Sequence, residues 1–337
     1  MADDNSNNIT LEDLAALAGV SVSTVSRALN DHHSISTKTK QKIWALAKER
    51  GYSFRRYMPA APIGAEGAIA IVMPRTHGRP LPLSHPFFLE LLANIGEAAR
   101  DRGCDFTVSH TAPANYDDLY LAATASRANG TIFLGQGDLH DAFNQLAATD
   151  SRFVVWGAQL PGQKYCSIGT DNFLGGRRAT LHLARLGRKR IVFLGETHPE
   201  AIQRRDGYLD ALRESGLEAD PSLILPVDFE LESAEAAVSR LLRREDPFDA
   251  IFASSDLIAL GAIRALGRAG LSAPKDVSVV GYDDMLLSRL STPTLTTIKQ
   301  DTAKAGRLLV SRILDADGDH RPEYLPTDLI VRESCGA

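Results

Sequence analysis

Between Thr10 and Asn30 the chain reads TLEDLAALAGVSVSTVSRALN, two short helical patterns that meet at a glycine. Leu11, Leu14, Ala15, Leu17 and Ala18 form an apolar stripe at helical spacing. Thr10 and Asp13 stand three apart as in a capping box, although the partner there is usually Glu or Gln. Gly19 supplies the left-handed conformation that ends a helix, and Ser21 can cap the next one, Val22 to Leu29. Val25, Ala28 and Leu29 then turn back toward the first helix. Val22, Ser23, Ser26 and Arg27 stay on or near the outer face. A second helix that is small and apolar on its inner side, and short, polar and Arg-tipped on its outer side, can enter a DNA major groove.

The next segment strengthens that reading, since most helical hairpins touch no DNA. Ser36 caps a third helix, Thr37 to Arg50, whose apolar side is Ile43, Trp44, Leu46 and Ala47. From Ile9 to Met58, eight basic residues against four acidic ones leave +4, in a chain whose net charge is −5. A small basic bundle on an acidic body is the electrostatic footprint of a nucleic-acid binder.

AGVSVSTVSRALN, followed by Ser36-x-Lys38-Thr39 and Ala47-x-x-x-Gly51-Tyr52, resembles the headpiece of the lactose-repressor (LacI/GalR) family of bacterial transcription regulators. The resemblance implies that Val22, Ser23 and Arg27 read base edges and that Thr24 and Ser26 reach base or phosphate. The chemistry agrees: Arg bridges guanine acceptors, Ser is a short adaptable donor, and Val meets a thymine methyl. Ser21 can cap its helix and touch phosphate at once. Lys38, Lys40 and Lys42 are either phosphate-side charges or a solvated face. Residues 1–8 are expected to be disordered. The headpiece is expected over 9–58 and a linker over 59–67.

The linker departs from the family. Relatives carry Tyr-x-Pro-Asn and then a short helix ending Ala-Arg-x-Leu, whose Leu wedges into the minor groove. Here Phe54 stands for the Pro and Ala61 for the wedging Leu, and Pro59 falls inside the would-be helix. Proline there costs about 3 kcal/mol. Arg55, Arg56 and Tyr57 either contact DNA, with Met58 as a substitute wedge, or form a plain basic linker on the phosphates.

The remaining length changes character. The chain has 337 residues, of which 44% are hydrophobic, enough for two or three domains with sizeable cores. No apolar run reaches membrane-spanning length, and the polar, acidic start MADDNSNN is unlike a secretory signal. A cytoplasmic, nucleoid-associated protein of bacterial type is therefore expected. Cys104, Cys166 and Cys335 are odd in number and widely spaced, as for reduced thiols. Neither His nor Cys shows metal-ligand spacing, and no cofactor is expected.

From Ala68 onward short apolar runs alternate with amphipathic segments. Strands are expected at 68–73, 105–109, 131–134 and 153–156, then at 190–194, 223–226, 250–253, 277–280 and 329–331. Helices are expected at 86–102, 174–186, 201–214, 232–243 and 257–269. This alternation predicts an α/β class: two doubly wound parallel sheets behind the three-helix headpiece, with a ligand cleft at the strands' carboxyl ends.

Gly169-Thr170-Asp171-Asn172, Arg205-Asp206-Gly207-Tyr208, Ala253-Ser254-Ser255-Asp256, Val279 to Asp284 and Thr296 to Asp301 are similar to signature stretches of the same family. The resemblance implies a regulatory domain like periplasmic sugar-binding proteins, over 68–337. Its first lobe would take about 68–166 and 299–324, its second about 167–298 and 325–337. It implies Arg205, Ser255 and Asp283 as polar sugar contacts, Phe229 as a stacking wall and Gln300 as a further lining residue. Structural alternatives stay open: Arg205 pairing with Asp206 or Asp210, Asp283 capping a turn, Phe229 in the core. Phe87 or Phe88 would floor the pocket. Gly135 and Gly157 stand where some relatives place polar contacts, which leaves Gln136 and Gln159.

The chain as a whole therefore points to a DNA-binding repressor acting on a palindromic operator as a homodimer, without the leucine-heptad tail of tetrameric relatives. A small-molecule effector, a sugar or sugar derivative, would control it. The alternatives are a solute-binding module with no DNA role and a regulator answering to a nucleobase or other non-sugar effector. An enzyme is not expected, because no phosphate-cradling glycine loop and no nucleophile–base spacing are present.

Overall fold

A computed structural model describes residues 10–29, 34–50, 68–76, 79–80, 82, 84–124, 128–149, 152–195, 197–244, 247–315 and 321–337. Residues 1–8, the linker with Pro59 and Ala61, and the candidate DNA contacts Arg55, Arg56 and Met58 lie outside the described residues. The chain forms two compact units, Met1–Gly64 and Ala65–Ala337.

In the first unit, helices α1 (Leu11–Ala18), α2 (Val22–Leu29) and α3 (Thr37–Glu49) follow one another. The Thr10 amide donates to Asp13 Oδ2 at 2.9 Å and the Asp13 amide to Thr10 Oγ1 at 3.2 Å, so the capping box closes with Asp in place of Glu. Those hydrogen bonds hold the Asp13 carboxyl below its ordinary range. Gly19 takes φ 69° and ends α1, and Lys42 Nζ donates to the Ala18 carbonyl at 3.0 Å. Leu14, Val25, Ala28, Ile43 and Ala47 close the core between the three helices. Leu17 is not part of it, being 44% exposed. At about 100° per residue it stands on the flank of the Leu11–Leu14–Ala18 stripe rather than within it.

The second unit runs in chain order through β1 (Ile69–Val72), a short ribbon of β2 (Arg75–Thr76) and β3 (Arg79–Pro80), α4 (Pro86–Asp101), β4 (Phe106–Val108), α5 (Tyr116–Thr124), β5 (Gly130–Leu134), α6 (His140–Ala147), β6 (Phe153–Trp156) and β7 (Ser167–Thr170). It continues with α7 (Asn172–Arg185), β8 (Ile191–Gly195), α8 (Pro199–Glu214), β9 (Ile224–Pro226), α9 (Leu231–Leu242), β10 (Ala250–Ala253) and α10 (Asp256–Arg268). Then come β11 (Ser278–Asp283), α11 (Leu286–Leu290), β12 (Thr296–Lys299), α12 (Thr302–Leu314), β13 (Glu323–Leu325) and β14 (Asp328–Ile330).

Two six-stranded sheets result, ordered β13-β7-β6-β5-β1-β4 and β14-β12-β11-β10-β8-β9. Every pairing within these two sheets is parallel except β14 on β12. Strands such as IAIV in β1 and AIFA in β10 are apolar throughout because both faces are covered. In the first sheet Ile69 and Ile71 pack on Leu91, Ile95 and Leu309, whereas Val72, Phe133 and Val155 pack on Leu119 and Phe143. In the second, Val192 and Ile251 pack on Val238 and Ile258, and Phe193 and Phe252 on Tyr208 and Leu183.

The chain passes between the sheets three times, after β7, after β12 and after β13. Ser167–Thr170 pairs with β6 and β13, so the first lobe runs on to Thr170 instead of ending near 166. β7, β12 and α12 were not anticipated as elements; the glycine in SIGT and the threonines in TTIK hide the apolar run that marks the other strands. Among the described residues no helix is long and apolar enough to cross a membrane.

Helices α7 and α8 approach closely at Gly207, where a Cβ would lie 2.0 Å from the Phe173 carbonyl oxygen. Overpacking of this kind costs about 1–3 kcal/mol. Gly207→Ala is expected to lower the melting temperature, while Gly267→Ala, which meets nothing within 4 Å, leaves it unchanged or higher. Equal melting temperatures for both variants in calorimetry would contradict this packing.

Candidate effector cleft and nucleic-acid face

On the first unit, α2 turns Val25 and Ala28 inward and exposes Ser21, Val22, Ser23 and Arg27. Thr24 and Ser26 are half-buried and Lys38 on α3 is exposed. Ser21 Oγ accepts from the Thr24 amide at 3.2 Å, the cap expected of it, and also contacts Ser23 Oγ at 2.8 Å. The residues expected to face a duplex therefore share one surface of α2, apolar Val22 beside two hydroxyls and a guanidinium.

In the second unit a cavity of about 700 Å³, open mouth included, lies at the carboxyl ends of both sheets. Its apolar walls are aromatic. Phe87 and Phe88 open α4, where Pro86 sits in the first turn and its fixed φ suits a helix start. Phe87 lies 6.0 Å from Trp156 at the end of β6. Across the cleft, His198 stacks on Phe229 at 5.8 Å with ring planes 7° apart. His85 meets Phe229 edge-on at 6.3 Å, a contact from one lobe to the other.

The polar floor is a ring of hydrogen bonds closed by one ion-pair contact. Thr170 Oγ1 donates to Gln300 Oε1 at 2.8 Å, and Gln300 Nε2 donates to Asp283 Oδ1 at 2.7 Å. Asp283 stands 4.0 Å from Arg204 Nη1, and Arg204 Nε donates to Asn172 Oδ1 at 2.8 Å. Asn172 Nδ2 returns to the Thr170 carbonyl at 3.1 Å. Arg204 also donates to the Ser254 carbonyl at 2.6 Å and lies 3.7 Å over the Tyr282 ring. Both Arg204 and Asp283 are buried.

Burial pushes the Asp283 carboxyl up to about 7, against the pull of Arg204 and of the Gln300 hydrogen bond. Behind it Asp256, fully buried, is raised well above the carboxylate range by desolvation and by Asp283 itself. Asp256 accepts from Thr297 Oγ1 at 2.5 Å and from the Met285 amide at 2.9 Å. Asp283 also holds φ 123°, a conformation that costs a non-glycine residue about 1–3 kcal/mol.

Of the residues expected at the pocket, the structure brings Asp283, Gln300, Phe229, Phe87 and Gln136 together around the cavity. Phe87 belongs at the same time to the first-lobe core. Arg205 is not among them: its side chain is 38% exposed and pairs with Asp206 at 3.4 Å. The inward arginine is Arg204. α8 buries Ala201, Arg204, Tyr208 and Ala211, and a one-residue step rotates Arg205 about 100° off that stripe. Ser255 is buried as the cap of α10, accepting from the Ile258 amide at 3.2 Å, and does not line the cavity. Gln159 likewise stays outside it, its carbonyl accepting from Gln203 Nε2 at 2.9 Å. Arg204, Asn172, Thr170, His85, His198 and Glu200 line the cavity and were missed. The helical period of α8 marks Arg204, and the Thr-Asp-Asn stretch after β7 marks the first crossing; His198 and Glu200 carry no local signal.

A model of the lacI family of bacterial regulatory proteins matches residues 10–53, and a periplasmic binding protein-like domain matches residues 180–335. The chain is 32% identical over 337 residues to the HTH-type transcriptional regulator CelR of Thermobifida fusca, covering 96% of this chain and 98% of the relative. A solved transcriptional regulator CelR–cellobiose complex aligns with TM-score 0.68 at 31% identity over 97% of this chain and 99% of that one. The lac repressor dimer bound to operator and the anti-inducer ONPF aligns with TM-score 0.69 at 27% identity, again over 97% and 99%.

The raised Asp283 carboxyl has a sign that can be tested. Its folded value of about 7 exceeds its unfolded value near 3.8, so between them the folded chain holds the extra proton. Stability therefore falls as pH rises from about 4 to 7. In urea unfolding at stepped pH, Asp283→Asn is expected to show a shallower fall over that window; identical slopes would refute the assignment.

Proposed function

Because the chain belongs to the lacI family of bacterial regulatory proteins and is a DNA-binding transcriptional regulator, we propose that it represses carbohydrate-utilisation genes, binding a palindromic operator as a homodimer under the control of a sugar. Its relatives are transcriptional regulators and it is not an enzyme. Residues 9–58 are the reading headpiece, 59–67 the linker, and 68–337 the effector and dimerisation domain, all within the cytoplasm. Val22, Ser23 and Arg27 read bases, Ser21, Thr24, Ser26 and Lys38 hold phosphates or neighbouring bases, and Arg55, Arg56 and Met58 add contacts from the linker. Leu89, Phe106 and Val108, apolar and exposed on the first lobe, suit a buried contact between copies.

The observation that carries the effector reading is the buried Arg204–Asp283–Gln300 ring set between aromatic walls of both lobes. Flat aromatic faces cover the apolar side of a sugar ring, and the ring of donors and acceptors meets its hydroxyls. A relative that aligns over nearly its whole length has been solved with cellobiose. An effector that prefers one lobe arrangement changes operator affinity by a coupling of about 1–3 kcal/mol.

Gel shifts with fragments of the protein's own upstream region test the headpiece. Arg27→Ala is expected to weaken binding by about 1–3 kcal/mol. A thermal-shift screen of sugars on the full chain tests the cleft. Any stabilisation should vanish in Arg204→Ala and Asp283→Ala and survive in Arg205→Ala. Normal ligand binding by the first two variants would overturn the cleft assignment.

A further inference from the structure

Beside its aromatic residues, the first-lobe wall of the cleft is built at the strand ends from glycines. β5 runs out into Gly135, Gln136 and Gly137, β6 into Gly157, and β7 contains Gly169. A Cβ on Gly157 would lie 2.2 Å from Gln136 Oε1, and one on Gly169 would lie 2.1 Å from the Gly157 carbonyl oxygen. The Gln136 carboxamide therefore occupies the space that a side chain at the end of β6 would fill.

A chain of donors fixes which way that carboxamide faces. The Pro161 carbonyl only accepts, so His140 Nε2, 3.2 Å away, carries the imidazole proton and Nδ1 accepts. Asn144 Nδ2 stands 3.3 Å from the same Nε2 but has the Gly162 carbonyl to donate to at 3.3 Å, whereas the Pro161 carbonyl has only the Nε2 hydrogen to accept from this ring. Nδ1 takes the hydrogen of the Tyr165 hydroxyl at 3.1 Å, and that hydroxyl accepts from Gln136 Nε2 at 3.0 Å. Burial pushes the Tyr165 hydroxyl well above its ordinary pKa, so it keeps its proton. Gln136 Oε1 is left without a hydrogen-bond partner on a side chain with no exposed surface, in the wall of the cavity. A buried acceptor in that state calls for a donor.

Charge narrows the donor. Among the described lining residues Arg204 is the only Lys or Arg, and it is already engaged by Asn172, the Ser254 carbonyl and Asp283. Asp283 and Glu200 line the cavity, and Glu90 lies close enough to act on Asp283. Glu200 also stands in the first turn of α8 and answers the positive end of that helix itself. A phosphate or carboxylate would meet these acids without a spare guanidinium or ammonium to bind it.

Resting on the sugar reading above, we propose that Gln136 is the specificity-determining residue of the first-lobe wall: its carboxamide, seated where Gly157 leaves space, accepts a hydrogen bond through Oε1 from a hydroxyl of an uncharged saccharide in the cavity.

Calorimetric titration of the full chain tests this with cellobiose, maltose, glucose and xylose against glucose 6-phosphate and gluconate. The tightest ligand is expected to be uncharged. Gln136→Leu should weaken it at least tenfold, and Tyr165→Phe, which releases the carboxamide from its hydroxyl partner, two- to fivefold. Among monodeoxy forms of that sugar, one should lose affinity for the native protein and lose nothing further in Gln136→Leu. A charged sugar binding tightest, or Gln136→Leu and Tyr165→Phe both binding within twofold while Arg204→Ala does not, overturns the proposal and leaves the cleft reading intact. If no saccharide of either kind binds, the sugar reading falls and takes the proposal with it.

Discussion

A guanidinium withdrawn from water at the meeting of two sheets sets the terms for the effector domain. Burying an isolated charge costs several kcal/mol, recovered only when partners are held in good geometry. Arg204 has four: the Asn172 carboxamide, the Ser254 carbonyl, the Asp283 carboxylate and the Tyr282 face. None can drift without stranding the charge. That requirement accounts for two otherwise costly features, the left-handed backbone at Asp283 and a carboxyl held near neutrality in pKa by desolvation. Both persist because the surrounding contacts over-determine them.

The same contacts occupy the points where the chain changes sheet. Thr170 and Asn172 flank the first crossing and Gln300 follows the strand that leads into the second. Residues that would grip an effector are thus the residues that would bend on closure. If the lobes close about these crossings, an effector held there acts on the lobe angle directly. The aromatic pairs work from the walls, and the His85–Phe229 contact joins them across the opening.

Much of this was legible in the amino-acid order. The headpiece announced itself through Thr10, Gly19 and the inward Val25 and Ala28, because caps and helical period are local signals. Buried parallel strands stood out as apolar runs wherever they were uninterrupted. β7 and β12 did not, since glycine and threonine dilute the run at positions where the backbone of a neighbour comes close or a hydroxyl is needed in the core. At the site, Asp283 and Gln300 followed from their stretches, but Arg205 was chosen over Arg204 by motif when the 3.6-residue period of α8 favours Arg204. Ser255 showed the opposite confusion: a hydroxyl before a helix is a cap first. His198 and Glu200 reach the cavity only through tertiary placement, which no local pattern records.

Three passages between the sheets mean that neither lobe is a continuous stretch of chain. Each is assembled from segments that lie far apart in the gene. A crossover between the genes of two relatives would therefore almost always splice half of one wall onto half of another and break hydrogen bonds such as Thr170 to Gln300, which join residues 130 positions apart. New ligand preferences in such a fold are easier to reach by single changes at strand ends, where one side chain alters the wall without disturbing the distant segments that complete it.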